Sequence, residues 1–95
     1  MKVYISGKIT GTNDYMKRFE DAEIELQLNG YDVINPALVN SNLPECTTHD
    51  EYMKISLCML DMCDAIYMLD GWNNSKGACI EYGYALGKDK VFLRK

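Results

Sequence analysis

DAIYMLDGWNNSKGACIEYGYALGKDKVFL, residues 64–93, reads as a strand, a glycine-containing loop, a helix, a tight turn and a second strand. Asp64 to Leu69 has the aliphatic and aromatic density of a buried strand. Asp70-Gly71-Trp72-Asn73-Asn74 breaks that run, and Ser75 is placed to cap the helix that follows. Gly87-Lys88-Asp89 then turns the chain into a last strand, Lys90 to Leu93. A strand, a helix and a strand of these lengths predict a right-handed crossover in a parallel sheet.

Upstream, the same alternation repeats. Lys2 to Ser6 is a short strand that opens on the glycine-bracketed loop Gly7-Lys8-Ile9-Thr10-Gly11. Asn13 and Asp14 are candidate caps for a helix to about Leu28, whose apolar positions Tyr15, Phe19, Ala22 and Leu26 share one face. Asn29-Gly30 ends it, glycine supplying a left-handed cap. Tyr31 to Ile34 is a second strand stopped by Asn35-Pro36, residues 37–48 read as loop, and a further helix runs from Thr48-His49-Asp50 to about Cys63. The order β-α-β-α-β-α-β predicts an α/β three-layer sandwich of the flavodoxin-like or Rossmann-like kind, around a short parallel sheet of about four strands. Strand order 2-1-3-4 would set loops 7–11 and 70–75 side by side at the switch point where such sheets bind ligands.

The bulk numbers narrow the partners. Ninety-five residues predict a single domain spanning 1–95. A net charge of −4 argues against polymeric nucleic acid and against an anionic membrane as partners. No apolar run is long enough for a membrane span, and Met1-Lys2 leads directly into a strand, so a cytoplasmic location is expected. Cys46, Cys58, Cys63 and Cys79 contain no Cys-x-x-Cys pair, and His49 is the single histidine, so neither a metal site nor a disulfide framework is expected. Neither a Walker loop nor Gly-x-Gly-x-x-Gly occurs, and no cofactor is expected.

One acidic residue stands apart. From Gly77 to Gly87, Glu81 is the only formally charged side chain, in a helix that reads as largely buried. A carboxylate in such surroundings needs a partner or a task. Ser75-x-Gly77 at the start of the same helix is a candidate anion seat, combining a hydroxyl, room for close approach and free backbone amides. Gly77 and Glu81 are four apart and share a face, so a ligand over Gly77 could reach the carboxylate one turn below. Ser6, Gly7, Lys8 and Gly11 of the first loop are further candidates for substrate or phosphate contact. Tyr4 could hydrogen-bond a carboxylate, Asp70 is a candidate general acid, and Trp72 could stack on a base or sugar or cover the core edge.

Taken together, Tyr4-Ile5-Ser6-Gly7, Tyr31-Asp32-Val33-Ile34-Asn35-Pro36, Cys63-Asp64-Ala65-Ile66, Gly71-Trp72-x-x-Ser75 and Ser75-x-Gly77-x-x-x-Glu81-x-Gly83-x-Ala85 resemble the nucleoside 2-deoxyribosyltransferase superfamily. The nearest pattern is a small bacterial and phage branch, and the Ser-x-Gly-x-x-x-Glu spacing is similar to that of 2'-deoxynucleoside 5'-phosphate N-hydrolases. The resemblance implies that Glu81 is the nucleophile at the anomeric carbon, that Tyr4 orients it, and that Ser75 contacts a 5'-phosphate. It also implies an aspartate in the middle helix, eight residues before Asp64, where this chain has Ser56. Either Asp70 then supplies the acid or turnover is impaired. The transferases use a segment beyond the fourth strand, often to complete a partner's pocket, so a homodimer or higher homo-oligomer is expected here. The expected function is therefore cleavage of the N-glycosidic bond of a small nucleoside or nucleotide, with hydrolysis favoured over transfer. The alternatives are a nucleotide-binding module without turnover, and an interaction subunit using an apolar patch at Met53, Met59 and Met62.

Overall fold

The computed structural model describes residues 1–93. Its elements are β1 (Lys2–Ser6), α1 (Tyr15–Leu28), β2 (Asp32–Ile34), α2 (Pro36–Asn40), α3 (His49–Asp61), β3 (Ala65–Met68), α4 (Lys76–Gly87) and β4 (Val91–Leu93), with one 3-10 turn over Trp72–Asn74 before α4. All neighbouring strands are parallel and the order is β2-β1-β3-β4, as the alternation predicts. Tyr4 lies opposite Ile66 and Ser6 opposite Met68, so β1 and β3 end together. Loops 7–11 and 70–75 leave from those adjacent ends.

Alternation along β1 divides the molecule. Val3 and Ile5 enter a core with Phe19, Ala22 and Leu26 of α1, Ala37 of α2, and Ala65 and Tyr67 of β3. Tyr4 points the other way, into a core with Leu60, Cys63, Ile66 and Ala85 from the α3 and α4 side. Two residues of one strand therefore address two layers, as a sheet covered on both faces requires.

Close approach explains one glycine at the site's edge. A Cβ on Gly7 would lie 2.9 Å from Leu69 Cδ1 and 3.0 Å from Leu69 Cβ, so β1 and β3 can end in contact only without a side chain there. Gly30 takes φ +88° just past the C-cap of α1, the left-handed residue expected at that helix end.

Three sequence expectations need correction. Residues 36–40 are helical, because the Asn35 side chain accepts from Ala37 N–H and Pro36 opens the turn with its φ already set. The α4 helix is not largely buried: Ala78, Glu81 and Ala85 face inward, whereas Cys79, Ile80, Gly83, Leu86 and Gly87 are exposed. Its composition is apolar nearly all round, so composition could not say which side met the sheet. The three methionines do not form one patch either. Met53 lines a cavity, Met59 packs on the Tyr4 core, and Met62 is exposed.

No helix among the described residues is long and apolar enough to cross a membrane. All four cysteines are free, and burial pushes the Cys63 thiol up to about 11, which keeps it protonated and inert.

Candidate active site

A cavity of about 910 Å³ opens at the C-terminal edge of β1 and β3. That is room for a mononucleotide. One wall is the N-terminal half of α4 with Ser75, Lys76 and Gly77, and another is loop 7–11 through Gly7, Lys8, Ile9 and Thr10. The α2 helix and the segment after it supply Pro36, Ala37, Asn40 and Glu45. The α3 helix supplies His49, Tyr52, Met53 and Ser56, which share a face at spacings of three and four residues.

Glu81 and Tyr4 lie at the floor of this cavity, where α4 crosses β1. The Tyr4 hydroxyl donates to Glu81 Oε2 at 2.5 Å, and the Ser6 hydroxyl donates to Oε1 at 2.6 Å. Residues two apart on β1 point the same way, so one strand face delivers both donors to one carboxylate. Each oxygen keeps further accepting capacity. Glu81 is 6% exposed, yet it lines the cavity rather than being sealed beneath it.

The electrostatics follow from this geometry. Burial raises the Glu81 carboxyl above its usual range, and the Ser6 and Tyr4 hydroxyls pull it part of the way back. Burial first, then the Glu81 charge, holds the Tyr4 phenol well above the tyrosine range, so it remains a proton donor. Neither ion pair among the described residues involves Glu81: they join Lys17 to Asp21 and Lys88 to Asp61 at the surface. The carboxylate is oriented by hydroxyls and not neutralised by a cation.

The opposite end of the cavity suits an anion. Ser75 Oγ accepts from Ala78 N–H at 3.1 Å as the N-cap of α4, which leaves its own O–H free to donate outward. A Cβ on Gly77 would stand 3.3 Å from Met53 Sδ and 3.8 Å from His49 Cε1, so the gap between α3 and α4 is narrow here. Lys76, next to Ser75, and Lys8 of loop 7–11 also line the cavity.

Of the sequence candidates, Tyr4, Gly7, Lys8, Ser75, Gly77 and Glu81 line the cavity together, and Ser6 joins them through its bond to Glu81. Gly11, Asp70 and Trp72 are not among its lining residues. Trp72 stacks on Tyr82 with ring centroids 4.7 Å apart, covering the outside of α4. Asp70 borders a separate cavity of about 190 Å³, and Arg18 Nη2 donates to its carbonyl oxygen at 2.6 Å. The wall residues Asn40, Glu45, His49, Tyr52 and Met53 escaped sequence reasoning as site residues. The i, i+3, i+4 and i+7 spacing of His49, Tyr52, Met53 and Ser56 was the available signal, as was the Asn35-Pro36 helix start.

A family model described as Domain of unknown function (DUF4406) matches residues 1–92. No curated protein matches the chain. Among solved structures, a Clostridium botulinum CMP N-glycosidase, BcmB, superposes with a TM-score of 0.69 at 23% identity, covering 99% of this chain and 70% of that one. At that identity the likeness establishes the fold.

Proposed function

The chain belongs to the DUF4406 family, and from the site it builds we propose that it cleaves the N-glycosidic bond of a small nucleoside or nucleoside monophosphate. The observation that carries this reading is the buried Glu81 carboxylate, fixed by two hydroxyls and facing a nucleotide-sized cavity. A carboxylate so placed can stabilise an oxocarbenium-like centre or trap it covalently. Tyr4 and Ser6 orient it. Ser75, Gly77 and Lys8 hold the phosphate at a distance of about one helical turn, which places the anomeric carbon over Glu81. The fold shared with a CMP N-glycosidase supports the same class of substrate. Asp70, which faces the separate cavity, has no part in this proposal.

Incubating purified protein with a panel of nucleosides and nucleoside monophosphates, then separating free base by chromatography, tests the reading. Release of base from at least one member is the expected result, and none from any member overturns it. A second reading is a nucleotide-binding module without turnover, favoured by Ser56 standing where the resemblance implies an aspartate. Calorimetric binding with no free base would select it.

Two variants probe separate halves of the site. Tyr4→Phe removes one of the two hydroxyls that hold the Glu81 pKa down. The nucleophile must be ionised, so the acid limb of kcat/KM moves to higher pH. The rate at neutral pH falls about ten- to a hundredfold, the equivalent of the roughly 1.5–3 kcal/mol in a hydrogen bond to a charge. A pH–rate profile with an unmoved acid limb would contradict the Glu81 assignment.

Gly77→Ala places a methyl group at the anion end. Alanine favours the helix by about 1 kcal/mol over glycine, so the fold is expected to hold. KM for a nucleoside monophosphate is expected to rise about tenfold, or roughly 1.4 kcal/mol, with kcat little changed. An equal rise for the unphosphorylated nucleoside would show that the methyl group is not displacing a phosphate.

A further inference from the structure

The Tyr4 hydroxyl has a second side. Its hydrogen is committed to Glu81 Oε2, so the phenolic oxygen can still accept a bond. Packed over Tyr4 is α3, whose Leu60 belongs to the same core. Ser56 stands one turn before Leu60 on that face of α3, is buried, and lines the cavity together with Tyr4 and Glu81. Its hydroxyl bonds the Tyr4 oxygen. Burial first, and then the Glu81 charge, raise the Tyr4 phenol, and the bond from Ser56 works against them. A bond that favours the ionised phenol is one in which Ser56 donates.

Three hydroxyls therefore serve one carboxylate, Ser6 directly, Tyr4 directly, and Ser56 through Tyr4. The hydrogen of a phenol can turn to either side of its oxygen. With Ser56 donating on one side, the Tyr4 hydrogen is held on the other, toward Glu81. Accepting a bond also makes a hydroxyl a better donor. Resting on the N-glycosidase reading above, we propose that Ser56 is a positioning residue of this site, acting on Glu81 through the Tyr4 hydroxyl.

Without that hydroxyl the Tyr4 oxygen loses its donor, and its hydrogen is free to turn away from Oε2. Glu81 then loses part of the bond that aims it and keeps it ionised. The other titratable groups lining the cavity are Lys8, Tyr15, Glu45, His49, Tyr52 and Lys76. Among the described residues, however, the side chains bonded to the Glu81 carboxylate are Tyr4 and Ser6. The other six titrate in the wild type and in a Ser56 variant alike, so a difference between the two pH profiles reports the chain of hydroxyls.

The test is a double-mutant cycle of Ser56→Ala and Tyr4→Phe, with base release measured on the nucleoside or nucleoside monophosphate that the wild type cleaves best. Alanine is the better helix former, so the fold should hold, and circular dichroism checks it. Ser56→Ala alone should lower kcat about three- to tenfold, the worth of a neutral hydrogen bond, with KM unchanged. The acid limb of kcat/KM should move to higher pH. In the Tyr4→Phe background the same change should cost less than about twofold, because the oxygen it acts through is gone. Ser56→Thr keeps a hydroxyl and should return the acid limb to its wild-type position. An undiminished effect in the Tyr4→Phe background, a rise in KM with kcat unchanged, or an unmoved acid limb overturns the inference and leaves the N-glycosidase reading standing. An alanine-like limb in folded Ser56→Thr also counts against it. No base from any member of the panel with the wild type overturns both. Should Ser56→Ala not fold, Ser56→Cys, close in shape but a weak donor, takes its place with the same expectations.

Discussion

Glu81→Gln is expected to abolish base release, lowering kcat by roughly 10⁴- to 10⁶-fold, the range seen when an essential member of a nucleophilic machinery is removed. Glutamine keeps the volume and can still accept the Tyr4 and Ser6 hydroxyls through its carbonyl oxygen, so the ligand pocket should survive. Nucleotide binding, read by calorimetry, should therefore change little while turnover disappears. Residual turnover within about tenfold of the wild type would remove Glu81 from the chemistry.

The same variant has a second signature, in stability. Burial raises the folded-state pKa of Glu81 above its unfolded value. The folded protein therefore holds this proton more tightly than the unfolded chain does. Stability from this group is greatest at low pH and declines as pH rises from the unfolded pKa through the folded one. At neutral pH the ionised carboxylate opposes folding. Glu81→Gln should then melt higher than the wild type at pH 7, and the gap should close as the pH falls below the usual glutamate range. Equal melting temperatures at pH 7 would show that the two hydroxyls fully offset the burial.

Leu60→Ala should be strongly destabilising. Leu60 is 0% exposed and packs with Tyr4, Ile66 and Ala85. Truncation of a fully buried leucine costs about 2–5 kcal/mol, a large part of the 5–15 kcal/mol that holds a small domain folded. Urea unfolding should show the midpoint falling with the slope unchanged. Leu60 also backs the Tyr4 ring, so part of the loss should reach the site, with kcat falling by more than the unfolded fraction explains. A loss below about 1 kcal/mol would mean that α3 repacks onto the sheet without it.

Much of the fold is legible in the chain because short strands and helices alternate with turn residues between them. Residues 64–93 alone give a parallel βαβ unit, and the observed strand order β2-β1-β3-β4 is the one expected for the whole chain. The α2 helix was harder to see: five residues are too few to show a period, and only the Asn35 cap with Pro36 marks its start. The α4 helix misled in the other direction, since residues that are apolar on every side do not reveal which side is covered. At the site, Glu81 stood out because a charge in an apolar helix is costly and conspicuous. Its partnership with Ser6 was not legible, because a serine closing a strand reads as a turn residue or a substrate contact. Asp70 looked like an acid from its place after β3, but the loop carries it toward α1. Sequence fixes which strand end a residue leaves from and says little about the direction in which a loop then turns.

The central position of β1 has a consequence for how the two ends of the cavity respond to heat. Tyr4 and Ser6 belong to a strand bonded on both sides, which opens only when the whole sheet does. Lys8 and Ser75 sit on connecting segments that can loosen well before that. Warming should therefore erode the grip on the phosphate while the sugar-facing hydroxyls keep their alignment. Affinity would fade first and chemical competence last.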